Sequence, residues 1–328
     1  MKTLITSDLH LSDLPKDAYR FDLFTWLAKQ QSDYAVDATF ILGDLTETKD
    51  KHSSILVNQI ANGLTRLIPP VFILKGNHDY IDPANPFFRF LNYIEGLTFV
   101  VKPRWVTPIG AFIPHCRTQA EFDQACEKIV KNYPLFLHNT FDGAVAETGA
   151  RLSGLQWAPI EPKRPRGVWA GDVHKPQRCG PVTYVGAPFT VRFGDAYVPR
   201  VLLVENGVEK NLYFPCPRKW SLKITDSDDL GHMKELHAGD QVKIEYALTR
   251  EEVVEWANHK QKVLDVCKDM DLEVFGVEMK VAAGKHRERL RVGDMPKAKT
   301  PQEIFAAFCK SENVAGNIKA AGAELLEG

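Results

Sequence analysis

The feature that most limits the fold of this chain is a series of six short apolar runs within its first 171 residues. Each run has the length and the β-branched or aromatic content of a buried strand. Between the first two runs, Phe21, Phe24 and Leu27 have the spacing of one helix face. Strands that alternate with helices are typical of a layered α/β fold. The six runs are residues 2–6, 38–42, 71–74, 110–114, 135–137 and 167–171.

The first domain is predicted to end near Arg218. Residues 182–186 form a further short strand pattern, and residues 199–214 read as a hairpin that turns at Asn206-Gly207. The two prolines in "FPCPRKW" then interrupt the pattern, as they often do at a domain boundary.

A small α/β domain is predicted after this boundary. Thr249 and Glu252 have the spacing of a capping box and begin a strongly periodic helix between two predicted strands. A second capping box, at Thr300 and Glu303, begins a tail helix that carries the apolar pair Phe305 and Phe308. A last helix would hold Val314, Ile318, Ala321 and Leu325. The predicted domains are residues 1–218, residues 219–283 and a helical tail at residues 284–328.

Polar side chains that can bind metals follow five of the predicted strands directly. Asp8 and His10 lie two residues apart, and so do Asp172 and His174, so in extended chain each pair points the same way. Ligands of open α/β sheets bind at the carboxyl ends of strands, so these five segments should meet. Each segment alone could be an ordinary capped turn. The candidates are Asp8, His10, Asp44, Asn77, His78, His138, Asp172 and His174.

Composition excludes several classes of protein. The longest apolar stretch is too short to cross a bilayer, and the N-terminus lacks the apolar core of a signal peptide, so we expect a cytoplasmic protein without membrane contact. The six cysteines include no C-x-x-C pair, which argues against a disulfide framework or a zinc finger. The net charge of −1 neither indicates nor excludes a nucleic-acid partner. Basic runs that could contact a polyanion are residues 102–105, 162–166 and 285–291.

The residue types fit a pair of divalent cations. Two such ions share a carboxylate and take oxygen and imidazole ligands around it, and together they activate a water that attacks phosphorus in line. Asp44 is the natural bridge. His78 is then free to protonate the leaving oxygen, because imidazole exchanges protons near neutral pH. Asp8, His10 and His174 would complete one metal site, and Asn77, His138 and Asp172 the other.

The order of these residues resembles the calcineurin-like metallophosphoesterases. Their pattern D-x-H, G-D, G-N-H-[DE], H, G-H-x-H is matched from Asp8 to His174, and its Gly-Asn-His-Asp segment adds Asp79 as a catalytic candidate. Within that superfamily the chain is similar to SbcD nuclease subunits. In those subunits a metal-binding histidine and a proline are followed by a strand, a Gly-Ser-Pro-like turn and an Arg-Phe-Gly. The segment "GDVHKPQRCGPVTYVGAPFTVRFGD" has the same order, and Arg192 is the arginine of its Arg-Phe-Gly. The resemblance implies a β-sandwich flanked by helices, with a small capping domain that orients DNA over the metals.

The same resemblance implies a manganese-dependent DNA exonuclease and endonuclease that works beside an SbcC-type coiled-coil ATPase. Magnesium, zinc and iron remain alternatives to manganese, and a homodimer is a further option. Two positions depart from the family pattern. Asp172 replaces the first histidine of G-H-x-H, and Glu47 stands where some of these nucleases have a histidine that guides the phosphate, so we take Glu47 and Arg192 as candidate substrate-binding residues.

Two other functions remain open at this point. One is a phosphodiesterase or phosphatase that acts on small molecules or phosphoproteins with the same dinuclear centre. The other is a scaffold that has kept the fold without the metals. The short region after the capping domain would suit a minimal or viral system, whose protein would work in the host cytoplasm.

Overall fold

The computed structural model describes residues 1–281 together with residues 305, 308–310, 314 and 319. The chain divides into two compact units, one made of Met1–Tyr246 with Ala257–Glu278 and one made of Ala247–Trp256 with Met279–Gly328. Phe305 and residues 308–310 are helical, in line with the predicted tail helix. The capping box at Thr300 and Glu303 lies outside the described residues, and so does most of the predicted last helix.

The regular elements of the described residues are short, and most end at a polar turn. The strands are β1 Lys2–Thr6, β2 Ala38–Ile41, β3 Val71–Leu74, β4 Leu97–Val100, β5 Arg104–Val106, β6 Gly110–Ile113, β7 Leu135–His138, β8 Val168–Gly171, β9 Gln177–Cys179, β10 Val182–Tyr184, β11 Val201–Glu205, β12 Val208–Leu212, β13 Lys219–Ile224, β14 Gln241–Leu248 and β15 Glu273–Val281. The α-helices are α1 Asp22–Tyr34, α2 Ser54–Leu64, α3 Gln119–Glu127 and α4 Trp256–Asp269.

Two six-stranded sheets form the larger part of the first unit. One has the order β12-β11-β1-β2-β3-β4 and the other β5-β6-β7-β8-β10-β9. In the first sheet β1 to β4 are parallel, and the predicted hairpin β11–β12 is added antiparallel to β1 with Asn206 and Gly207 at its turn. In the second sheet β6, β7, β8 and β10 are parallel. The carboxyl ends of the parallel strands therefore form the edge that the sequence predicted for the site.

A layer of aromatic side chains packs the two sheets face to face. Phe40 stacks on Phe136 with ring centroids 4.1 Å apart, and Phe72 stacks on Phe112 at 5.1 Å. Outside this layer, α1 and α2 cover the first sheet and share one buried apolar cluster with it. Helix α3 covers the second sheet through a separate buried apolar cluster. The fold is a mixed α/β sandwich flanked by helices, which confirms the predicted fold class.

The strands β13, β14 and β15 form a third, three-stranded sheet in the order in which they follow in sequence. The predicted strand at residues 241–248 coincides with β14. Within the second unit, Thr249 and Glu252 form the predicted capping box, because each accepts a hydrogen bond from the backbone N–H of the other. The predicted domain boundaries at residues 218 and 283 stay predictions.

A buried charge network joins β13 to the 3-10 helix Pro15–Phe21. Lys219 Nζ donates to Asp17 Oδ1 at 2.5 Å, and Arg20 contacts the same oxygen at 3.2 Å. Burial raises the pKa of Asp17, but the positive charges of Arg20 and Lys219 outweigh it and lower this pKa below its usual value. Arg20 also donates to the backbone oxygen of His10 at 2.6 Å. The network therefore reaches the backbone of a candidate metal ligand.

Among the described residues, no helix combines the length and the apolar character that a membrane span requires.

Candidate metal centre

Polar side chains from five strand ends meet at one edge of the sandwich, as the sequence predicted. Three groups of possible ligand atoms each lie within 4.8 Å of one another. Two carboxylates, Asp8 and Asp44, each belong to two of these groups, which is the placement expected of a shared carboxylate. The groups are Asp8, His10 and His174; His10, Asp44 and His78; and Asp8, Asp44 and His138.

Four of the predicted ligands occupy left-handed backbone positions. The φ angles are 55° at Asp8, 40° at His10, 52° at Asp44 and 82° at Asp172. Side chains other than glycine rarely adopt this region, and aspartate tolerates it better than most. Strained positions of this kind persist where the surrounding structure fixes them, and they cluster at functional sites. Here the strained residues lie in the turns that place the predicted ligand side chains in the centre.

Asp44, Asn77 and His138 bring their polar side-chain atoms together at one point. Asn77 Oδ1 lies 2.9 and 3.0 Å from the two carboxylate oxygens of Asp44 and 3.0 Å from His138 Nε2. His138 Nε2 is 3.3 Å from Asp44 Oδ1. Adjacent ligand atoms around a cation with bonds of about 2.1 Å are about 3 Å apart, so this donor set fits a hard divalent cation. Without a cation, the Asn77 amide would turn its NH2 group toward the same atoms.

His10 and His174 form the second half of the centre. Their Nε2 atoms lie 3.0 Å apart, and His10 Nε2 is 3.7 Å from Asp44 Oδ2. Two imidazole nitrogens at this distance can share one proton or both face a metal ion. With Asp8 and Asp44 beside them, the donor set again combines imidazole and carboxylate groups. This composition suits manganese, iron or zinc, and Asp44 lies between the two halves.

An oxygen atom lies close to Nδ1 of each of these three histidines. His138 Nδ1 contacts the backbone oxygen of Leu42 closely, His10 Nδ1 lies 2.8 Å from Glu47 Oε2, and His174 Nδ1 lies 3.2 Å from Glu147 Oε1. A metal-binding histidine usually gives its other ring N–H to an acceptor of this kind, which leaves Nε2 as the ligand. The sequence carried no signal for Glu147, because that residue lies in the long segment between β7 and β8, far from any strand end.

Burial and neighbouring charges shift the pKa values of the acidic and imidazole groups in the centre. Burial raises the pKa of Asp8 to about 6, whereas the charge of His138 outweighs burial at Asp44 and lowers its pKa below the usual range. Conversely, burial would lower the pKa of His138, but Asp44 outweighs it and holds this pKa well above its usual value. At His174, burial and the charge of His10 lower the pKa to about 3. A bound cation would replace the proton that Asp44 and His138 otherwise hold between them.

His78 lies at the rim of this cluster. Its backbone N–H donates to Asp44 Oδ1 at 2.9 Å, and its Nδ1 lies 2.8 Å from the backbone oxygen of Glu47. The ring meets that of His10 edge-on at 4.9 Å. One ring nitrogen of His78 is therefore engaged by a backbone carbonyl, and the other is available for a ligand or a proton.

Asp79 lies behind the turns that carry two of the predicted ligands. It is fully buried, and its carboxylate accepts hydrogen bonds from the backbone N–H groups of Asp44, Leu45 and Gly76 at 3.0, 2.9 and 2.7 Å. These bonds hold the turns after β2 and β3 together, which is a positioning role. The catalytic role predicted for Asp79 stays a prediction.

Asp172 enters the centre from the turn after β8. Its backbone N–H donates to Asp8 Oδ1 at 3.0 Å, its Oδ2 accepts the Thr140 hydroxyl at 2.7 Å, and its Oδ1 is 3.8 Å from His138 Nε2. It is absent from the three tight ligand groups of the described residues. Its role as a ligand stays a prediction.

The two predicted substrate-binding residues have different surroundings. Glu47 faces His10, and this hydrogen bond lowers the pKa of Glu47 to about 2, so Glu47 is anionic and orients the His10 ring. Arg192 is exposed and holds its turn through a backbone N–H that donates to Asp195 at 2.8 Å. A role in substrate binding stays a prediction for both.

One of three comparisons with known proteins agrees with the geometry of the centre, and it is the family match. A family model described as calcineurin-like phosphoesterase matches residues 1–141, which is less than half of the 328 residues. Solved structures that resemble the chain include a novel archaeal phosphodiesterase, which is 13% identical, covers 65% of this chain and is itself covered over 100% of its length, with a TM-score of 0.35. At that identity and score it carries no argument about function. No curated protein matches the chain.

Proposed function

We propose that the chain is a calcineurin-like metallophosphoesterase that hydrolyses phosphodiester bonds of DNA, similar to SbcD nuclease subunits. The arrangement of Asp44, Asn77 and His138 carries the proposal, because carboxylate, amide and imidazole atoms from three strand ends lie 2.9–3.3 Å apart at buried or half-buried positions, which is the spacing of ligand atoms around one cation. Groups held in this way are costly unless a cation joins them.

The side chains would divide the work as follows. Asp8, His10 and His174 would hold one divalent cation, Asn77, His138 and Asp172 the other, and Asp44 both. Bound there, such cations polarise a phosphoryl oxygen and activate water as a nucleophile. His78 would hold a proton at Nε2 for the leaving sugar oxygen, because its Nδ1 is engaged with the backbone oxygen of Glu47. The carboxylates of Glu47 and Glu147 would keep His10 and His174 in place.

The DNA substrate is supported by the segment that begins at Arg192. Phe193 packs against Phe275 with ring centroids 5.5 Å apart, and Lys243 Nζ lies 4.9 Å from the centroid of the Phe193 ring. This segment thus joins the metal-bearing sandwich to the third sheet and leaves the Arg192 side chain exposed. The capping domain that the resemblance implies would favour a polymeric substrate over a small molecule, and manganese is the cation that we expect.

The proposal is tested with four substrates in manganese and in magnesium: linear double-stranded DNA, single-stranded DNA, a nitrophenyl phosphodiester and a nitrophenyl phosphomonoester. We expect metal-dependent cleavage of DNA and of the diester, and loss of both in Asn77→Ala. Cleavage of the nitrophenyl esters without any cleavage of DNA would identify a small-molecule enzyme. A parent that binds no divalent cation in calorimetry would refute the dinuclear centre and favour a scaffold.

An SbcC-type coiled-coil ATPase is the proposed partner, on the strength of the sequence resemblance. Removal of residues 300–328 should leave cleavage of short DNA detectable and abolish association with such an ATPase in size-exclusion chromatography. Association that survives the truncation would place the contact elsewhere on the chain.

A further inference from the structure

A basic cavity of about 300 Å³ lies beside the metal centre, between the segment that follows β3 and the segment that joins β6 to α3. Its lining includes four cationic side chains, Lys75, Lys102, Arg117 and Lys128, and one carboxylate, Glu121. A concave surface with this excess of positive charge is suited to an anion.

Lys75 is the informative residue in this cavity. Only 5% of its surface is exposed, yet no described carboxylate oxygen lies within 4.0 Å of its Nζ and no described group accepts a hydrogen bond from it. Its Nζ lies 4.3 Å from the centroid of the Tyr80 ring. The rest of the Lys75 side chain is buried while its ammonium group lines the cavity, so an anion in the cavity would supply the acceptor that the described residues do not.

Arg117 adds a second cation at the same place. Its guanidinium carbon lies 4.8 Å from the centroid of the Tyr80 ring, and the guanidinium donates to Tyr80 Oη at 3.2 Å and to the backbone oxygen of Ile81 at 2.8 Å. Glu121, the one carboxylate of the lining, accepts the backbone N–H of Arg117 through Oε2 at 2.7 Å and forms no ion pair within 4.0 Å among the described residues. Two cations thus share one aromatic ring, and the lining holds four cationic side chains against one carboxylate.

The cavity is adjacent to the metal centre through a single side chain. His115 lines it, contacts Tyr80 Oη through Nδ1 at 2.9 Å, and brings its ring to 6.2 Å from the ring of His138. In addition, Lys75 directly precedes Gly76 and Asn77. One side chain of the cavity lining, His115, thus contacts a predicted ligand of the metal centre, and another, Lys75, is two residues from one.

We propose that this cavity binds the phosphate that flanks the cleaved one in a polynucleotide chain. The inference rests on the proposed function and specifies it, because a flanking phosphate exists only in a substrate with at least two linked phosphodiesters. Contacts of Lys75 and Arg117 with that phosphate would fix the register of the strand over the metals and add affinity without taking part in the chemistry. Free phosphate has the same chemistry and is the competing occupant.

The test compares Lys75→Met with Lys29→Met, a matched control on the exposed face of α1. Substrates are a two-nucleotide DNA with one phosphodiester, a six-nucleotide DNA and the nitrophenyl phosphodiester. In Lys75→Met we expect KM for the six-nucleotide DNA to rise about tenfold, which is the effect of one lost charge-assisted hydrogen bond, and kcat to change little. KM for the two substrates with a single phosphate should stay at the parent value, as should all values of Lys29→Met. Equal losses on all substrates, or no loss on any, would overturn the proposal.

Two further measurements separate the remaining outcomes. If inorganic phosphate changes nitrophenyl hydrolysis in the parent but not in Lys75→Met, while DNA length has no effect, free phosphate is the occupant and the flanking-phosphate assignment is wrong. If the parent cleaves nothing, the proposed function fails. The cavity is then tested alone by measuring the affinity for a labelled six-nucleotide DNA in EDTA by fluorescence polarisation. Weaker binding by Lys75→Met would support the site and equal binding would overturn it. Lys128→Ala, at an exposed position of the same cavity, replaces Lys75→Met if that variant does not fold.

Discussion

Replacement of His78 by alanine separates the chemistry of the centre from its assembly. The backbone N–H of residue 78 still donates to Asp44 in His78→Ala, so the shared carboxylate keeps this contact. The side chain loses one hydrogen bond, from Nδ1 to the backbone oxygen of Glu47, at a half-buried position. A lost bond of this kind costs about 1 kcal/mol, which for a chain of this size lowers Tm by about 2–4 °C.

The expected effect on catalysis is far larger. A general acid contributes about 10²- to 10⁴-fold, which corresponds to about 3–5 kcal/mol of transition-state stabilisation. This loss should appear in kcat for DNA, whose sugar oxygen must be protonated as it leaves. A nitrophenolate leaves without a proton, so the nitrophenyl diester should be affected much less.

The assay measures metal content, Tm and kcat for both substrates in the parent, in His78→Ala and in His232→Ala, which removes an exposed histidine in the turn after β13 as a control. We expect His78→Ala to bind two cations and to cut DNA at least a hundredfold more slowly. The reasoning would be refuted if His78→Ala cut DNA at the parent rate. It would also be refuted if both substrates slowed equally while metal was lost, because His78 would then be a ligand, as its place near His10 and Asp44 permits.

Substitutions at three further positions test residues in and near the centre. Asp172→Ala should reduce the bound cations from two to one and abolish activity, whereas Asp172→His should retain activity and shift the preference toward zinc or iron; two manganese ions in Asp172→Ala would contradict this role. Gly76→Ala would place a Cβ 2.2 Å from Asp44 Oδ1, so we expect a loss of about 1–3 kcal/mol in unfolding free energy and weaker metal binding by calorimetry, and parental affinity would contradict it. Asp17→Asn leaves Lys219 buried without its partner and should cost about 3–5 kcal/mol in urea unfolding at pH 7. Since the folded-state pKa of Asp17 is lowered, its stabilisation is present above the unfolded value near 3.8 and is lost as pH falls through the lower folded-state pKa, so the difference between parent and variant should shrink as pH falls below about 3.8; a constant difference would contradict the assignment.

Patterns that depend on residues close in sequence were predicted well. The strand at residues 2–6 coincides with β1, the strand at 71–74 with β3, and the hairpin turns at Asn206 and Gly207. Local periodicity and turn chemistry act within a few residues, so they can be recognised in one sequence. The meeting of five strand ends also followed from sequence, because parallel strands end at one edge.

Elements that depend on tertiary packing were missed. Strands β4, β5, β9 and β13 are three to six residues long and carry too little local pattern to be recognised. Their strand conformation comes from backbone pairing with neighbours such as β3 and β14. The α-helices α2 and α3 were also missed, although Ser53 and Thr118 cap them in the usual way.

Within the centre, the sequence determined which side chains are present, and the tertiary structure decided what each one faces. The ligand types at Asp8, Asp44 and Asn77 follow from the order of residues along the chain. The brace that Asp79 forms across two turns, and the contact of Glu147 with His174, depend on segments that are far apart in sequence. Hydrogen-bond partners and burial are set by the packing of whole sheets, and they fix which nitrogen of each histidine is free to bind a cation. The sequence alone cannot specify that choice, because no residue near a histidine in the chain supplies its partner.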